Sequence, residues 1–258
     1  SNATNAVANR ATIISGAPTA SRDMLVSTPD RHLVFFGTET TIGDPTTQDE
    51  MFIRFSNQED INTYTPTAVN TAGTQRLADG SKIVGAVRGR DAIYVWTDTS
   101  LFTMRFVGPP FTFGFQQIGT NCGLIGQNAA IEVDGAAYWF SENGFFKYSG
   151  NLETMTCLVE DFVFNDLNTT ASQLINAGLN NLFGEITWFY CSEGATVVDR
   201  CVTYNYMEST PQRPIWTTGT LNRTTWQDSS VFGKPHGTDY DSTGTSYDVV
   251  GNTDGATT

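Results

Sequence analysis

The sequence repeats one short arrangement of strands and turns four times, and this repeat constrains the fold more than any single residue. Each copy has an apolar strand of small residues, a tight polar turn, a strand dense in aromatic residues, a second turn and another apolar strand. The clearest two copies, about 44 residues apart, comprise residues 82–87, 90–91, 92–96 and 101–106, and then 128–131, 134–135, 136–140 and 145–148. An internal period of this length, built of strands alone, is typical of β-propeller blades.

The other copies follow the same plan. The first uses residues 23–26, 32–36 and 51–55, and the fourth uses 178–182, 185–190 and 200–204. Each copy leaves room for a fourth, more polar strand. Glycine and alanine in the first strands suit the centre of a propeller, where backbone approaches backbone. We therefore predict an all-β propeller of about four blades, each of four antiparallel strands, with a partial fifth blade.

The repeat also predicts how the chain is divided. The blades are expected at approximately 13–80, 81–122, 123–172 and 173–228, within an array that covers residues 4–230. Residues 229–258 are predicted to begin a truncated further blade, so the chain is expected to be a fragment of a larger ring. Residues 1–3 resemble the scar of a cleaved expression tag. Polar caps and apolar spacing predict one short helical insertion at residues 160–167 and 170–175.

The composition favours a folded, acidic protein. The 258 residues include 17 Phe, 9 Tyr and 5 Trp, which supply enough apolar surface for a substantial core. The net charge of −13 disfavours tight binding to nucleic acid or to an anionic membrane. No apolar run approaches the roughly 20 residues that a membrane-spanning helix needs. We therefore expect no membrane among its partners.

The cysteines and histidines do not predict a zinc site, since no Cys-x-x-Cys pair occurs and His32 is far from His236 in sequence. Cys191 and Cys201 flank a predicted turn at residues 192–196. Strands on either side of this turn could bring the two sulfur atoms within bridging distance. Two buried free thiols are the alternative. We expect no cofactor.

Paired carboxylates are the groups that a glycosidase propeller would need. The candidates on or beside predicted strands are Asp91, Asp98, Asp134, Glu142 and Glu185. The positions of Asp91, Asp98 and Asp134 are explained by turn chemistry alone, because aspartate side chains bond to the turn backbone. The arginines that a sialidase would need are scattered, and no Ser-x-Asp-x-Gly-x-Thr-Trp box occurs. We therefore predict no catalytic residues.

One candidate metal site lies near the end of the chain. Asp239, Asp241 and Asp248 offer carboxylates at a spacing that resembles a calcium loop, although Val250 stands where an EF-hand loop would have its glutamate. The polar tip of a hairpin is the alternative interpretation. The chain has no Gly-x-Ser-x-Gly motif and no Gly-x-x-x-x-Gly-Lys-Ser/Thr loop, so neither nucleophilic catalysis nor nucleotide binding is predicted.

Six aromatic residues recur at the strand positions of the repeat, and they suggest two interpretations. They could stack on sugar rings, or they could pack between neighbouring blades; their regular positions favour packing. These residues are Tyr94, Trp96, Tyr138, Trp139, Trp188 and Tyr190.

A series of short phrases resembles tail proteins of short-tailed bacteriophages. The most specific one is 54–60, with the sequence Arg-Phe-Ser-Asn-Gln-Glu-Asp, followed by Thr63-Tyr64-Thr65-Pro66; Tyr64 stands where that phrase more often has tryptophan. Further matches, in the same order, are residues 80–83, 101–104, 138–141, 144–146, 160–161, 166–168, 181–190, 216 and 219–224. Together these phrases are similar to the β-propeller tail-hub, nozzle or packaged-DNA stabilisation proteins that lie below the portal.

This resemblance implies a structural role in the virion tail, with assembly in the host cytoplasm. It implies contacts with other tail proteins, self-association in a ring, and passage of DNA without tight binding. It implies neither an enzyme nor a small-molecule substrate. Negative walls would repel phosphate and let DNA slide, which agrees with the acidic composition.

Two alternatives remain open at this point. The first is a carbohydrate-binding or glycoside-hydrolase propeller, which sugar binding or glycosidase activity would reveal. The second is a secreted bacterial adhesion module, which an oxidised bridge between Cys191 and Cys201 would favour.

Overall fold

β-Strands dominate the secondary structure of the chain, in a computed structural model that describes residues 14–28, 30–228, 234–240 and 247–251. Four sheets have four strands each, and a fifth has three. In every sheet, strands that are consecutive in sequence are neighbours in space. The predicted all-β class and the four-stranded units are therefore confirmed, whereas closure into a ring stays a prediction.

The sheets follow one another along the chain. Sheet 1 contains β1 (Asp23–Ser27), β2 (His32–Phe36), β3 (Phe52–Phe55) and β4 (Gly73–Arg76). Sheet 2 contains β5 (Ile83–Arg88), β6 (Ile93–Thr97), β7 (Ser100–Gly108) and β8 (Thr112–Thr120). Sheet 3 contains β9 (Ala130–Val133), β10 (Ala136–Ser141), β11 (Gly144–Tyr148) and β12 (Leu152–Thr154). Sheet 4 contains β13 (Asn176–Asn180), β14 (Glu185–Tyr190), β15 (Arg200–Asn205) and β16 (Trp216–Gly219). Sheet 5 contains β17 (Thr225–Gln227), β18 (His236–Tyr240) and β19 (Tyr247–Gly251).

Short helices interrupt the strands. The predicted helical insertion is confirmed between sheets 3 and 4, where α1 (Glu160–Asp166) is followed by a 3-10 helix at Thr169–Leu174. Glu160 and Asp161 lie in the first turn of α1, where acidic side chains interact favourably with the helix dipole. A further 3-10 helix at Pro45–Thr47 lies in the loop between β2 and β3.

The chain divides into two compact units. Unit 1 comprises residues 1–78 and 106–114, and unit 2 comprises residues 79–105 and 115–258. Unit 1 contains sheet 1 and the tip of the β7–β8 hairpin. Unit 2 contains the rest of sheet 2 and all of sheets 3, 4 and 5.

Buried polar side chains organise unit 1. The guanidinium of Arg54 donates hydrogen bonds to the carbonyls of Thr40 at 2.8 Å and Glu39 at 3.2 Å, which fixes the loop after β2. His32 is fully buried, and its ring lies 5.1 Å from the ring of Phe113. Burial lowers the pKa of His32, although Asp30 acts to raise it. These groups are surrounded by packed side chains, so their role is to shape the core of the unit.

In unit 2, the first strands of successive sheets lie beside one another: β5 contacts β9, β9 contacts β13, and β13 contacts β17. The amide of Ala177 donates to the carbonyl of Asn128 at 2.8 Å, which links the start of sheet 4 to the segment before sheet 3. A side chain at Gly85 would place its Cβ 2.7 Å from the carbonyl oxygen of Gln127. The expectation that glycine in first strands permits close backbone approach is therefore confirmed at this position.

Indole groups connect the sheets of unit 2 to one another. Each donates its N–H to a backbone carbonyl that lies outside its own sheet or in a connecting segment. The four bonds are Trp139 to Cys122 at 2.8 Å, Trp188 to Ala129 at 2.9 Å, Trp216 to Thr156 at 2.8 Å and Trp226 to Leu179 at 2.7 Å. Buried indoles usually have such a partner, and these bonds both satisfy the donor and fix the spacing between sheets.

Candidate functional site

A cleft of about 210 Å³ lies in unit 2, between the outer strands of sheet 3 and the end of β15 in sheet 4. Its walls carry aromatic rings, hydroxyl groups, two prolines and one pair of opposite charges. The lining residues are Tyr138, Lys147, Glu153, Thr154, Met155, Thr156, Tyr204, Tyr206, Ser209, Thr210, Pro211 and Pro214. Concave sites with aromatic walls and a few polar groups are the usual form of a ligand-binding site.

Three tyrosines form the aromatic wall of the cleft. The ring of Tyr138 lies 6.2 Å from that of Tyr204 and 6.5 Å from that of Tyr206, and both pairs are tilted by 41°. Tyr204 is anchored by Trp216, whose ring is 4.7 Å away. The hydroxyl of Tyr206 donates to the side-chain oxygen of Asn181 at 2.9 Å. Tyr138 is buried, whereas Tyr204 and Tyr206 are half-buried and present part of their rings to the cleft.

One row of side chains across sheet 3 provides the charges. In the antiparallel register, Tyr138 lies opposite Lys147, and Lys147 lies opposite Glu153. The ammonium of Lys147 lies over the ring of Tyr138, 5.6 Å from its centroid. This is a cation–π contact, which holds the lysine against the wall of the cleft. Glu153 is exposed at the rim.

The opposite rim is a loop that connects β15 to β16. The side-chain oxygen of Asn205 accepts hydrogen bonds from the amides of Glu208 at 2.8 Å and Met207 at 3.1 Å. Thr210 and Arg213 exchange both backbone hydrogen bonds across a tight turn, at 3.0 and 3.1 Å. Pro211 follows Thr210 in that turn, where its fixed backbone angle is favoured. The loop is therefore ordered by its own hydrogen bonds.

The surroundings of Tyr138 and Tyr206 favour the neutral form of both side chains. Burial, together with the nearby tyrosines and the carboxylates of Asp134 and Glu153, raises the pKa of Tyr138 to about 12. Burial, with Asp134 and Asp228, also raises the pKa of Tyr206. The hydroxyl groups therefore remain protonated and can donate as well as accept hydrogen bonds.

The structure places most of the predicted carboxylates in turns. Asp91 and Asp98 lie at opposite ends of β6, and Asp134 and Glu142 lie at opposite ends of β10. Strands of this length separate their ends by more than about 15 Å, which is too far for a glycosidase pair. Neither pair within a sheet therefore has the geometry for glycoside hydrolysis.

Two of these residues have clear structural roles. Asp134 has a left-handed backbone with φ of 52° and precedes Gly135, which has φ of 87°. This pair forms the tight turn of the β9–β10 hairpin. Asp98 accepts a hydrogen bond from the amide of Ser81 at 2.8 Å. Burial acts to raise the pKa of Asp98, but hydrogen bonds from Ser81 and Lys82 outweigh it and lower the pKa. The interpretation of these aspartates as turn residues is confirmed.

Glu185 differs from the other carboxylates because it lies on a strand, at the start of β14. Burial raises its pKa, and Glu208 adds to this, while a 3.5 Å hydrogen bond from Asn180 opposes it. Glu185 contributes no atom to the cleft lining. Its position therefore gives it no role in the candidate site.

The candidate calcium loop falls partly outside the described residues. Asp239 and Asp248 are opposite each other in the backbone register of β18 and β19, but Asp241 and all three side chains lie outside the described part. Within the described ranges, no group of three or more His, Cys, Asp or Glu residues could hold a metal ion.

The four cysteines are buried free thiols. Cys201 lies opposite Phe189 in the β14–β15 register, and Phe189 is two residues before Cys191. Both cysteines pack in the same small apolar cluster. Burial raises the pKa of Cys191 to about 11, and Asp199 acts in the same direction. Of the two alternatives for this pair, the structure has the free thiols.

The six repeat aromatics are buried, which confirms packing as their main role. Tyr138 also lines the cleft, so one of them serves both purposes. Sequence reasoning missed Lys147, Glu153, Tyr204 and Tyr206 as members of a site. Only the alternation of Tyr204, near the end of β15, with Tyr206, just beyond that strand, could have pointed to it.

No model of a known protein family matches the sequence, and no curated protein matches it. Among the described residues, the helices are too short and too polar to cross a membrane.

Proposed function

We propose that the chain is a structural protein of a short-tailed phage tail, in the hub, the nozzle or the complex that retains packaged DNA. The observation that best supports this proposal is the way sheets 2 to 5 are joined. The first strands of successive sheets lie beside one another, and indole groups donate hydrogen bonds across the junctions. In such an array each sheet is stabilised by its neighbours through similar contacts, which suits a wall built from repeated units.

The residues that carry the resemblance have structural positions in the fold. The hydroxyl of Ser56 accepts a hydrogen bond from the amide of Leu33 at 3.0 Å. The side chain of Asn57 accepts two from Thr71, one from the amide and one from the hydroxyl, both at 3.0 Å. Tyr64 is buried against Phe35, with ring centroids 5.6 Å apart. These residues build turns and core, so the resemblance supports a shared architecture and a non-enzymatic role.

Later matches in the series behave in the same way. Phe145 is fully buried, and its ring lies 5.0 Å from Trp188 and 4.9 Å from Trp216. All three residues belong to matching phrases. They form the centre of the contact between sheets 3 and 4, which agrees with the blade architecture that the resemblance implies.

The experiment that tests the proposal is localisation in the particle. We expect mass spectrometry of purified virions to find this polypeptide at fixed copy number, and electron microscopy to place it below the portal. A matched lysate from cells infected with a mutant that lacks the gene provides the control. Absence of the polypeptide from the particle would contradict the proposal.

A second experiment tests the DNA-conduit part of the role. With a net charge of −13, the folded chain should bind duplex DNA weakly and only at low salt. Fluorescence anisotropy with a labelled duplex at two salt concentrations measures this. Tight binding that salt does not weaken would rule out passage of DNA without sticking, while leaving the virion location to the first experiment.

A further inference from the structure

We propose that the cleft between sheets 3 and 4 binds a neutral saccharide, such as one or two sugar units of a glycan chain. This inference does not rest on the virion role, because it follows from the walls of the cleft alone. The cleft is smaller than the pockets that hold drug-sized ligands, and it is open to solvent on one side. Its size therefore suits a small ring that belongs to a longer chain.

The rim of the cleft is built before any ligand arrives. The amide of Ile215 donates to the hydroxyl of Ser209 at 2.8 Å, and the amide of Tyr206 donates to the carbonyl of Gly184 at 2.8 Å. These bonds hold both ends of the β15–β16 loop. A site that is already ordered loses little entropy on binding, so even modest contacts give measurable affinity.

The aromatic wall offers a platform for a sugar ring. Tyr206 is half-buried, and the hydrogen bond from its hydroxyl to Asn181 favours one orientation of the ring. Tyrosine presents an apolar face and a polar end together, which matches the two kinds of surface on a pyranose ring. The tilt of 41° between neighbouring tyrosines forms a corner rather than a flat wall.

The polar groups of the cleft match a ligand rich in hydroxyls. Lys147 supplies donors and Glu153 supplies acceptors at neighbouring positions of one row. Thr154, Thr156 and Thr210 also line the cleft, and each has polar groups that can bond to a sugar hydroxyl. A sugar can bond to all of these groups, whereas a hydrocarbon would leave them unpaired at a cost.

The charges in and around the cleft disfavour cationic and anionic ligands. The ammonium of Lys147 already lies on the ring of Tyr138, so a second cation there would be repelled. The carboxylates of Asp134 and Glu153 act on Tyr138 from nearby, and the whole chain is strongly acidic, so an anionic ligand is disfavoured. A neutral ligand meets neither obstacle.

The test is a titration of the intact chain with maltohexaose, cellohexaose and chitohexaose, followed by backbone-amide NMR. We expect saturable shifts at residues of the cleft, with a dissociation constant in the millimolar range or below, for at least one of these sugars. The same measurement with hexalysine, with an oligogalacturonate and with a proline-rich peptide covers cationic, anionic and aromatic-groove ligands. No shift with any neutral sugar, or cleft binding by a charged or proline-rich probe alone, would overturn the proposal.

Variants locate the site. Tyr206→Ala should weaken sugar binding about three- to tenfold, because it removes one stacking face. Phe162→Ala, which removes an aromatic side chain that is 55% exposed on α1, should leave binding unchanged. Glu153→Gln keeps the shape of the rim, so it should change the affinity for a neutral sugar far less than Tyr206→Ala does. Equal effects of Tyr206→Ala and Phe162→Ala would place binding elsewhere and contradict the proposal.

Discussion

The junction between sheets 2 and 3 and the junction between sheets 3 and 4 have similar centres and different rims. In the first, Trp96 and Trp139 pack at 5.4 Å, and the outer pair Tyr94 and Tyr148 meets edge to face at 5.7 Å. In the second, Phe145 and Trp188 pack at 5.0 Å, whereas the outer tyrosines leave the cleft open. The repeat thus fixes the packed centre of a junction and leaves its rim free to vary.

The length of one connection explains why the second rim is open. In sheet 3, β11 passes to β12 through the short turn at residues 149–151. In sheet 4, β15 passes to β16 through the longer segment at residues 206–215, which carries Tyr206 and the turn with Pro211. Connections tolerate insertions far better than packed strands do, so a functional surface can be added there at little cost to the fold.

The largest expected effect tests whether the two centres are equivalent. Trp96→Ala and Trp188→Ala each remove a fully buried indole, so each should lower the free energy of unfolding by about 3–5 kcal/mol. Chemical denaturation followed by circular dichroism measures both. Phe111→Ala, at a side chain that is 77% exposed, is the control and should change stability by less than about 0.5 kcal/mol. If only one of the two variants lost a small part of the free energy of unfolding, the centres of the two junctions would not be equivalent.

The next effect concerns the innermost strand of the first junction. Gly85→Ala would bring a methyl group to 2.7 Å from the carbonyl oxygen of Gln127, and a backbone atom cannot move aside cheaply. We expect a loss of about 1–3 kcal/mol in the free energy of unfolding. Gly219→Ala is the matched control, because its new methyl group would meet only the sulfur of Cys201, at 3.2 Å. If both variants unfold at the same denaturant concentration, the close approach of the backbone does not prevent a side chain at position 85, and the prediction is wrong.

Tryptophan-to-phenylalanine variants separate hydrogen bonding from packing. Trp139→Phe and Trp188→Phe each remove an indole donor and leave a buried carbonyl without that bond, at a cost of about 1–3 kcal/mol. The indole N–H of Trp96 has no hydrogen-bond partner among the described residues, so Trp96→Phe should cost less than either. Urea melts of the three variants provide the ranking, and a Trp96→Phe loss as large as the others would show that its donor is satisfied.

The sequence predicts the centres of these junctions better than their rims. Aromatic and β-branched residues at regular spacing predict β6, β10 and β14 because burial on both faces demands such residues. Turn residues such as Asp134-Gly135 predict the hairpins because few residues adopt their backbone angles. These features are local, so they can be read from a short stretch of chain.

The cleft could not be predicted because its parts are distant in sequence. Lys147 and Glu153 come from sheet 3, and Tyr206 comes from beyond sheet 4. Their meeting depends on the spacing between sheets, which indole bonds such as that of Trp216 to Thr156 establish. The order of the β15–β16 loop depends on side-chain bonds such as that accepted by Ser209, and no periodic pattern reports these.

The smallest expected effect on stability concerns Tyr138 at the open rim, and it is seen only at alkaline pH. Burial, the neighbouring tyrosines and nearby carboxylates raise the pKa of Tyr138 from 10.0 to about 12. The contribution of Tyr138 to the free energy of unfolding is therefore complete below pH 10. As the pH rises from 10 towards 12, tyrosinate forms more readily in the unfolded chain than in the fold, and the contribution of Tyr138 is lost. Tyr138→Phe should therefore flatten part of the alkaline loss of stability, while Tyr206→Phe, at a more exposed ring, should flatten it less. Denaturant melts at several alkaline pH values test this. Identical pH profiles for the two variants would show that the hydroxyl groups of Tyr138 and Tyr206 are equally exposed to solvent, and would contradict the prediction.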